Sequence, residues 1–96
     1  MAMREWSLDE IGTTIRTMLV ENLYLPLDPA AIRPDADLVD DLGLGSLDLS
    51  ELRGLCENRF GVPIAETDFN PVHFHSVDTL SALLAHSLGR RPAPTA

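Results

Sequence analysis

Ser46 is the hydroxyl of this chain best placed to become covalently modified. It lies in Asp40-Asp41-Leu42-Gly43-Leu44-Gly45-Ser46-Leu47-Asp48-Leu49, a glycine-bearing turn that runs into an amphipathic stretch. A serine attacks a substrate only when a base takes its proton. No histidine or lysine lies near Ser46 in sequence, and its neighbours are carboxylates. The oxyanion motifs of serine hydrolases are also missing. A hydroxyl so placed suits modification by another enzyme better than attack on a substrate. The plain alternative is an N-cap, the usual role of a serine before an amphipathic helix. The two roles are compatible.

Other reactive side chains assemble less well. Asp35, Asp37, Asp40 and Asp41 resemble a calcium loop only in charge. Val39 and Asp40 fall where such a loop needs an oxygen ligand and a glycine. They read as a solvated acidic loop, and no metal site is expected. His73, His75 and His86 have no metal-ligand spacing, and none forms a catalytic pair with Ser46 by any motif. Cys56 falls on an apolar helical face and reads as a small core residue.

Charge narrows the partners. Seven basic residues, all Arg, stand against 15 acidic ones, for a net charge of -8. Nucleic acids and anionic membranes both demand cationic surface, so neither is an expected partner. A basic protein patch is the complement of such a surface, through small, salt-sensitive contacts. The single cysteine excludes an internal disulfide. The N-terminus lacks the apolar run of a signal peptide, and no apolar run is long enough to cross a bilayer. These features predict a soluble cytoplasmic protein.

The elements that must hold Ser46 are helical. Hydrophobic residues make up 45% of the chain and aromatics only 5%, so the core is chiefly aliphatic. Ser7 and Glu10 have capping-box spacing. Leu8, Ile11, Ile15, Met18, Leu19 and Leu23 follow on one helical face, predicting a helix over residues 8–23. Pro26, Pro29 and Pro34 then break residues 24–41 into a loop of about 18 residues, where about 4–6 is usual. Leu25, Leu27, Ile32, Leu38 and Leu42 are expected to pin it to the core. A second helix is predicted over residues 46–60, with Leu49, Leu52, Leu55, Cys56 and Phe60 inward and Gly61 as its stop. Asp48 and Glu51 suit its positive N-terminus. A single helical turn is expected within 64–75. Ser76 is expected to cap a last helix with Val77, Leu80, Leu83, Leu84 and Leu88 inward, stopped by Gly89. The expectation is an all-α fold, a small three-to-four-helix bundle with a long first loop. It forms a single domain over residues 1–96, ordered about 7–88, with a flexible tail at 90–96.

Three segments in order resemble the acyl carrier protein family. They are Leu42-Gly43-Leu44-Gly45-Ser46-Leu47-Asp48 with Glu51-Leu52, then Phe60-Gly61-Val62-Pro63-Ile64, then Phe74-His75-Ser76-Val77-Asp78-Thr79-Leu80. The likeness runs from about Ile11 to Leu88. It implies that a separate phosphopantetheinyl transferase links 4'-phosphopantetheine, a covalent cofactor from coenzyme A, to Ser46. The arm's thiol would carry an acyl or aminoacyl group as a thioester, sometimes sheltered among the helices, while the protein itself, expected as a monomer, would catalyse nothing. It also implies that acyl-loading and acyl-processing enzymes with basic patches dock at Leu47, Asp48, Glu51 and Asp41.

The chain departs from the family pattern in places. Gly45 replaces the usual Asp before the serine, which favours a permissive transferase over that of fatty acid synthesis. Ser50 and Gly54 occupy positions often apolar for docking. Gly54 is expected to allow a partner or the first helix to approach closely, and Arg53 and Arg59 interrupt the acidic face. These changes favour a discrete carrier of a polyketide or other natural-product pathway. The alternatives are a peptidyl carrier of a nonribosomal peptide pathway and a non-loading helical interaction module.

Overall fold

The computed structural model describes residues 5–89; the expected tail at 90–96 lies outside them. Three helices form: α1 at Leu8–Glu21, α2 at Ser46–Phe60 and α3 at Val77–Gly89. Short 3-10 turns at Pro29–Ala31 and Glu66–Asp68 complete the described elements, and no strand occurs among the described residues. The all-α expectation holds, at the three-helix end of its range.

The start of α1 follows from local chemistry. Ser7 Oγ accepts the Glu10 amide at 3.1 Å, and Glu10 Oε1 accepts the Ser7 amide at 3.0 Å. The helix ends at Glu21, short of the expected Leu23. The Leu23 amide reaches back to the Met18 carbonyl at 3.2 Å, and Tyr24 then turns left-handed with φ 62°. Ile11, Ile15, Met18 and Leu19 are buried as expected, Leu23 is half-buried, and Leu8 faces water. Leu8 opens the helix beside the cap, ahead of the stripe that meets α3. Trp6 crosses the chain to meet Phe60 edge-on, with ring centroids 4.7 Å apart.

The long loop is more ordered than proline content alone suggests. Asp28 Oδ1 accepts the Ala30 amide and caps the first 3-10 turn. Ile32 and Leu38 are buried, and Leu25 and Leu42 are half-buried. Leu27, expected as a pin, is exposed instead: its amide bonds to the Leu25 carbonyl at 2.8 Å, which places it in a tight turn about Pro26. Two backbone bonds fasten the loop to the start of α3: Leu38 N–H to the His75 carbonyl at 2.8 Å, and Asp78 N–H to the Pro34 carbonyl at 3.0 Å.

Gly61, with φ 69°, closes α2 in the left-handed region that glycine adopts without strain. At α3, Ser76 Oγ accepts the Thr79 amide at 3.2 Å, and the Thr79 hydroxyl accepts the Ser76 amide at 2.9 Å. α1 packs chiefly against α3, with buried Gly12 facing Val77 and Ser81. Leu52, Cys56 and Phe60 of α2 and Leu80, Leu83 and Leu84 of α3 complete the core. No helix among the described residues is long and apolar enough to cross a membrane.

Candidate functional site

Ser46 is the first residue of α2 and is exposed. It is not the N-cap that its sequence context suggests: Gly45 takes that position, extended at φ -90° and ψ 179°. The Ser46 hydroxyl makes no hydrogen bond among the described residues. The half-buried Asp48 carboxylate reaches back to the Gly45 amide at 3.0 Å. No side chain caps the amides of the first turn of α2. Such amides, with the helix dipole behind them, favour an anion such as a phosphate.

The turn that delivers Ser46 is built just upstream. The Asp37 carboxylate accepts the amides of Val39 and Asp40, both at 2.9 Å, and meets His75 Nδ1 at 3.3 Å. The Asp41 carboxylate accepts the Asp37 amide at 2.8 Å. Gly43 has φ 75°, and the Leu44 amide bonds to the Leu38 carbonyl at 3.0 Å. Leu44 is 3% exposed and anchors the turn two residues before the serine. Its burial was not anticipated, because a leucine between two glycines belongs to no periodic face.

The expected docking residues divide into two groups. Leu47 is 85% exposed and Glu51 is exposed without a hydrogen bond or ion pair among the described residues. Asp41 and Asp48 are engaged in the backbone bonds just described. Asp40, not singled out for docking, is exposed and its carboxylate makes no such bond. Gly54 does not serve a close approach of α1, since a Cβ there meets nothing within 4 Å. Arg53 does not interrupt an acidic outer face; it folds inward against residues 64–69. Among the described residues, no group of three or more His, Cys, Asp or Glu is placed to hold a metal.

An apolar cleft of about 270 Å³ opens beside the start of α2. Val39, Leu49, Phe69 and Phe74 line it, with Asp37 and His75 among its polar members. Leu49 lies one helical turn beyond Ser46, on the same side of α2. The sequence signal for this cleft was only the aromatic pair Phe69 and Phe74, which meet edge-on with centroids 4.9 Å apart.

A family model described as "Phosphopantetheine attachment site" matches residues 13–87. This chain belongs to the acyl carrier protein family. It is similar to the acyl carrier protein of Solidesulfovibrio magneticus, 41% identical over 58 residues, which are 60% of this chain and 72% of that one. It is also similar to that of Thermotoga maritima, 33% identical over 66 residues, 69% of this chain and 79% of the relative. As an acyl carrier protein it is a carrier and not a catalyst, and its domain type bears covalent 4'-phosphopantetheine. Carriers of this family work with phosphopantetheinyl transferases and acyl-processing enzymes.

The carboxyl of Asp37 in this carrier is held below its ordinary value of 3.8, chiefly by the Asp40 amide, with further help from Val39 and His75 against the opposing effect of burial. A lowered carboxyl stabilises the fold above its ordinary value and loses that contribution as pH falls through the lowered one. Asp37→Asn is therefore expected to lower the thermal midpoint at neutral pH. The difference from wild type should shrink once the pH drops below 3.8. Thermal melts of both proteins across an acid pH series check this; a difference that persists unchanged at the acid end would show that the charge is not its source.

Proposed function

We propose that Ser46 is the attachment point of the phosphopantetheine arm, and that this carrier shuttles thioester-bound acyl groups through polyketide or other natural-product assembly. The observation that carries the attachment reading is an exposed, unbonded hydroxyl on the first residue of a helix whose N-terminal amides no side chain caps. The new Oγ–phosphorus bond forms as the pyrophosphate bond of coenzyme A breaks, the adenosine bisphosphate half leaves and the serine proton goes to the transferase. The attached phosphate then lies at the positive end of α2. The apolar end of a short acyl chain has the cleft beside Leu49 as its shelter.

Leu47, Glu51, Asp48 and Asp41 serve partner docking in this reading, with Asp40 added from the structure. Gly45 supports a permissive transferase. Nothing steric demands glycine there, since a Cβ would lie in ordinary contact 3.8 Å from Asp48 Oδ2. Ser50, also exposed, supports a partner set unlike that of fatty acid synthesis. The reading extends to a single carrier domain acting as a cytoplasmic monomer.

The sole cysteine provides a clean test. Cys56 is fully buried, and burial first, with the nearby Glu57 charge second, pushes its thiol up to about 12 from 9.0. The thiol is therefore neutral and inaccessible in the folded protein, and its burial stabilises the fold until pH rises beyond 9.0 towards that value. A thiol reagent near neutral pH should count no reactive group before treatment with a permissive transferase and coenzyme A, and one after it. Denaturant should expose one more in either form. An unchanged count after treatment with several transferases favours the non-loading interaction module.

A further inference from the structure

Arg53 is two helical turns beyond Ser46, and Ser46, Leu49 and Arg53 follow one stripe of α2. Its Nη1 donates to Glu66 Oε1 at 2.7 Å and its Nη2 donates to the Ile64 carbonyl at 2.6 Å. Glu57, one turn further on, accepts the Ile64 amide at 2.7 Å. Both backbone groups of Ile64 are thus held by side chains of α2. The Arg53 guanidinium carbon also lies 5.1 Å from the centroid of the Phe69 ring. Phe69 in turn packs edge-on against Phe74, and both line the cleft with Leu49.

The ion pair itself contributes little, because the Glu66 side chain is 86% exposed while that of Arg53 is 21% exposed. The guanidinium supplies shape instead. Its planar fork bonds two acceptors at once while its face covers an aromatic ring, and a lysine ammonium cannot do both. Its Nε is buried without a hydrogen-bond partner among the described residues. Burying part of a cation in this way is costly, and the geometry it fixes is the wall of the cleft.

We propose that Arg53 is a positioning residue that fixes the Phe69 wall of the cleft and so sets the length of acyl chain the carrier shelters. This rests on the reading of Ser46 as the attachment point and of the cleft as the shelter. With Phe69 held, the cleft accepts a compact acyl group and limits a longer one. With Arg53 removed, the ring loses its face partner and residues 64–69 lose two of their ties to α2.

The test loads wild type, Arg53→Met, Arg53→Lys and Glu66→Gln with acetyl, hexanoyl and decanoyl arms from the corresponding acyl-coenzyme A. Intact mass confirms loading in each sample. Two quantities are read: hydroxylamine cleavage of the thioester, and the thermal midpoint relative to the unacylated arm. Wild type should protect the hexanoyl thioester relative to acetyl, with little added by decanoyl. Arg53→Met should lose that protection by about fivefold or more, the effect of losing a partly desolvated cation–aromatic contact. Arg53→Lys should fail to restore it, and Glu66→Gln should largely keep it.

A chain-length profile in Arg53→Met identical to wild type overturns the proposal. So does a wild type with no chain-length dependence; the masses of the same samples, read beside that of Ser46→Ala, then say whether attachment at Ser46 survives alone. Should Arg53→Met not fold, Phe69→Leu with Arg53 intact carries the test. It must lose hexanoyl protection in the same way, and an unchanged profile there also overturns the proposal.

Discussion

Ser46→Ala is expected to gain no phosphopantetheine under conditions in which wild type gains one equivalent, with its thermal midpoint almost unmoved. Loss of the arm is complete because the hydroxyl oxygen is itself the atom to be linked, and no neighbouring residue substitutes for it. Leu47 and Gly45 have no nucleophile, and Ser50 lies one turn into α2, away from the capless first-turn amides. The small effect on stability has a structural reason. Removing a serine N-cap costs about 0.5–2 kcal/mol, but here Gly45 is the N-cap and Ser46 bonds to nothing among the described residues. The expected change is therefore that of an ordinary surface substitution, within about 0.5 kcal/mol. Alanine also suits the first turn of a helix better than serine does. Intact mass after transferase treatment and thermal unfolding of the untreated pair read the two halves separately. A modified alanine variant would move the attachment point elsewhere, and an unfolded one would give the hydroxyl a structural role.

The second large effect falls two residues upstream. Leu44→Ala is expected to destabilise the protein by about 2–5 kcal/mol, the range for truncating a buried leucine. A small domain is stable by only about 5–15 kcal/mol, so this is a large share. Leu44 is 3% exposed, and its amide bonds to the Leu38 carbonyl, while the Leu38 amide bonds in turn to the His75 carbonyl. Its buried side chain thus sits at one end of a run of backbone bonds that links the turn before α2 to the segment leading into α3. The variant should also accept the arm more slowly, since the turn that presents Ser46 loses its anchor. Leu47→Ala is the control. Leu47 is 85% exposed, and its loss should change stability by less than about 0.5 kcal/mol. Urea unfolding of the two variants side by side decides the matter. Equal midpoints would mean that the turn is not held by its leucine.

The three helices were legible because their ends are local events. Ser7 with Glu10, Ser76 with Thr79, and Gly61 at φ 69° act over at most four residues, and the sequence contains both partners of each contact. The boundaries of α2 matched for that reason. The end of α1 did not, because Tyr24 adopts a left-handed conformation that nothing in its side chain announces. The core faces of the helices were legible from periodicity. Individual leucines at the edge of a periodic run or outside one were not: Leu8, first of its stripe, and Leu27, in a loop, are expected inside and face water, while Leu44 belongs to no periodic face and is buried.

Arg53 is the clearest case of tertiary decision. Read along α2 it is a charge on a solvated face. In the structure it bonds to Ile64, 11 residues on, and Glu66, 13 residues on, across the Gly61 stop. Asp48 and Asp41 similarly read as surface acids and are bound to backbone amides. By itself the sequence determined the three helices, the N-caps of α1 and α3, the Gly61 stop, the acidic character and the motif around Ser46, because each rests on residue type and short spacing. The tertiary structure alone decided that Ser46 leaves its hydroxyl unbonded, that Leu44 anchors its turn, and that Phe69, Phe74 and Leu49 enclose a cleft beside it. Those outcomes depend on which distant segments the irregular loops bring together, and an irregular loop carries no period from which its contacts are read.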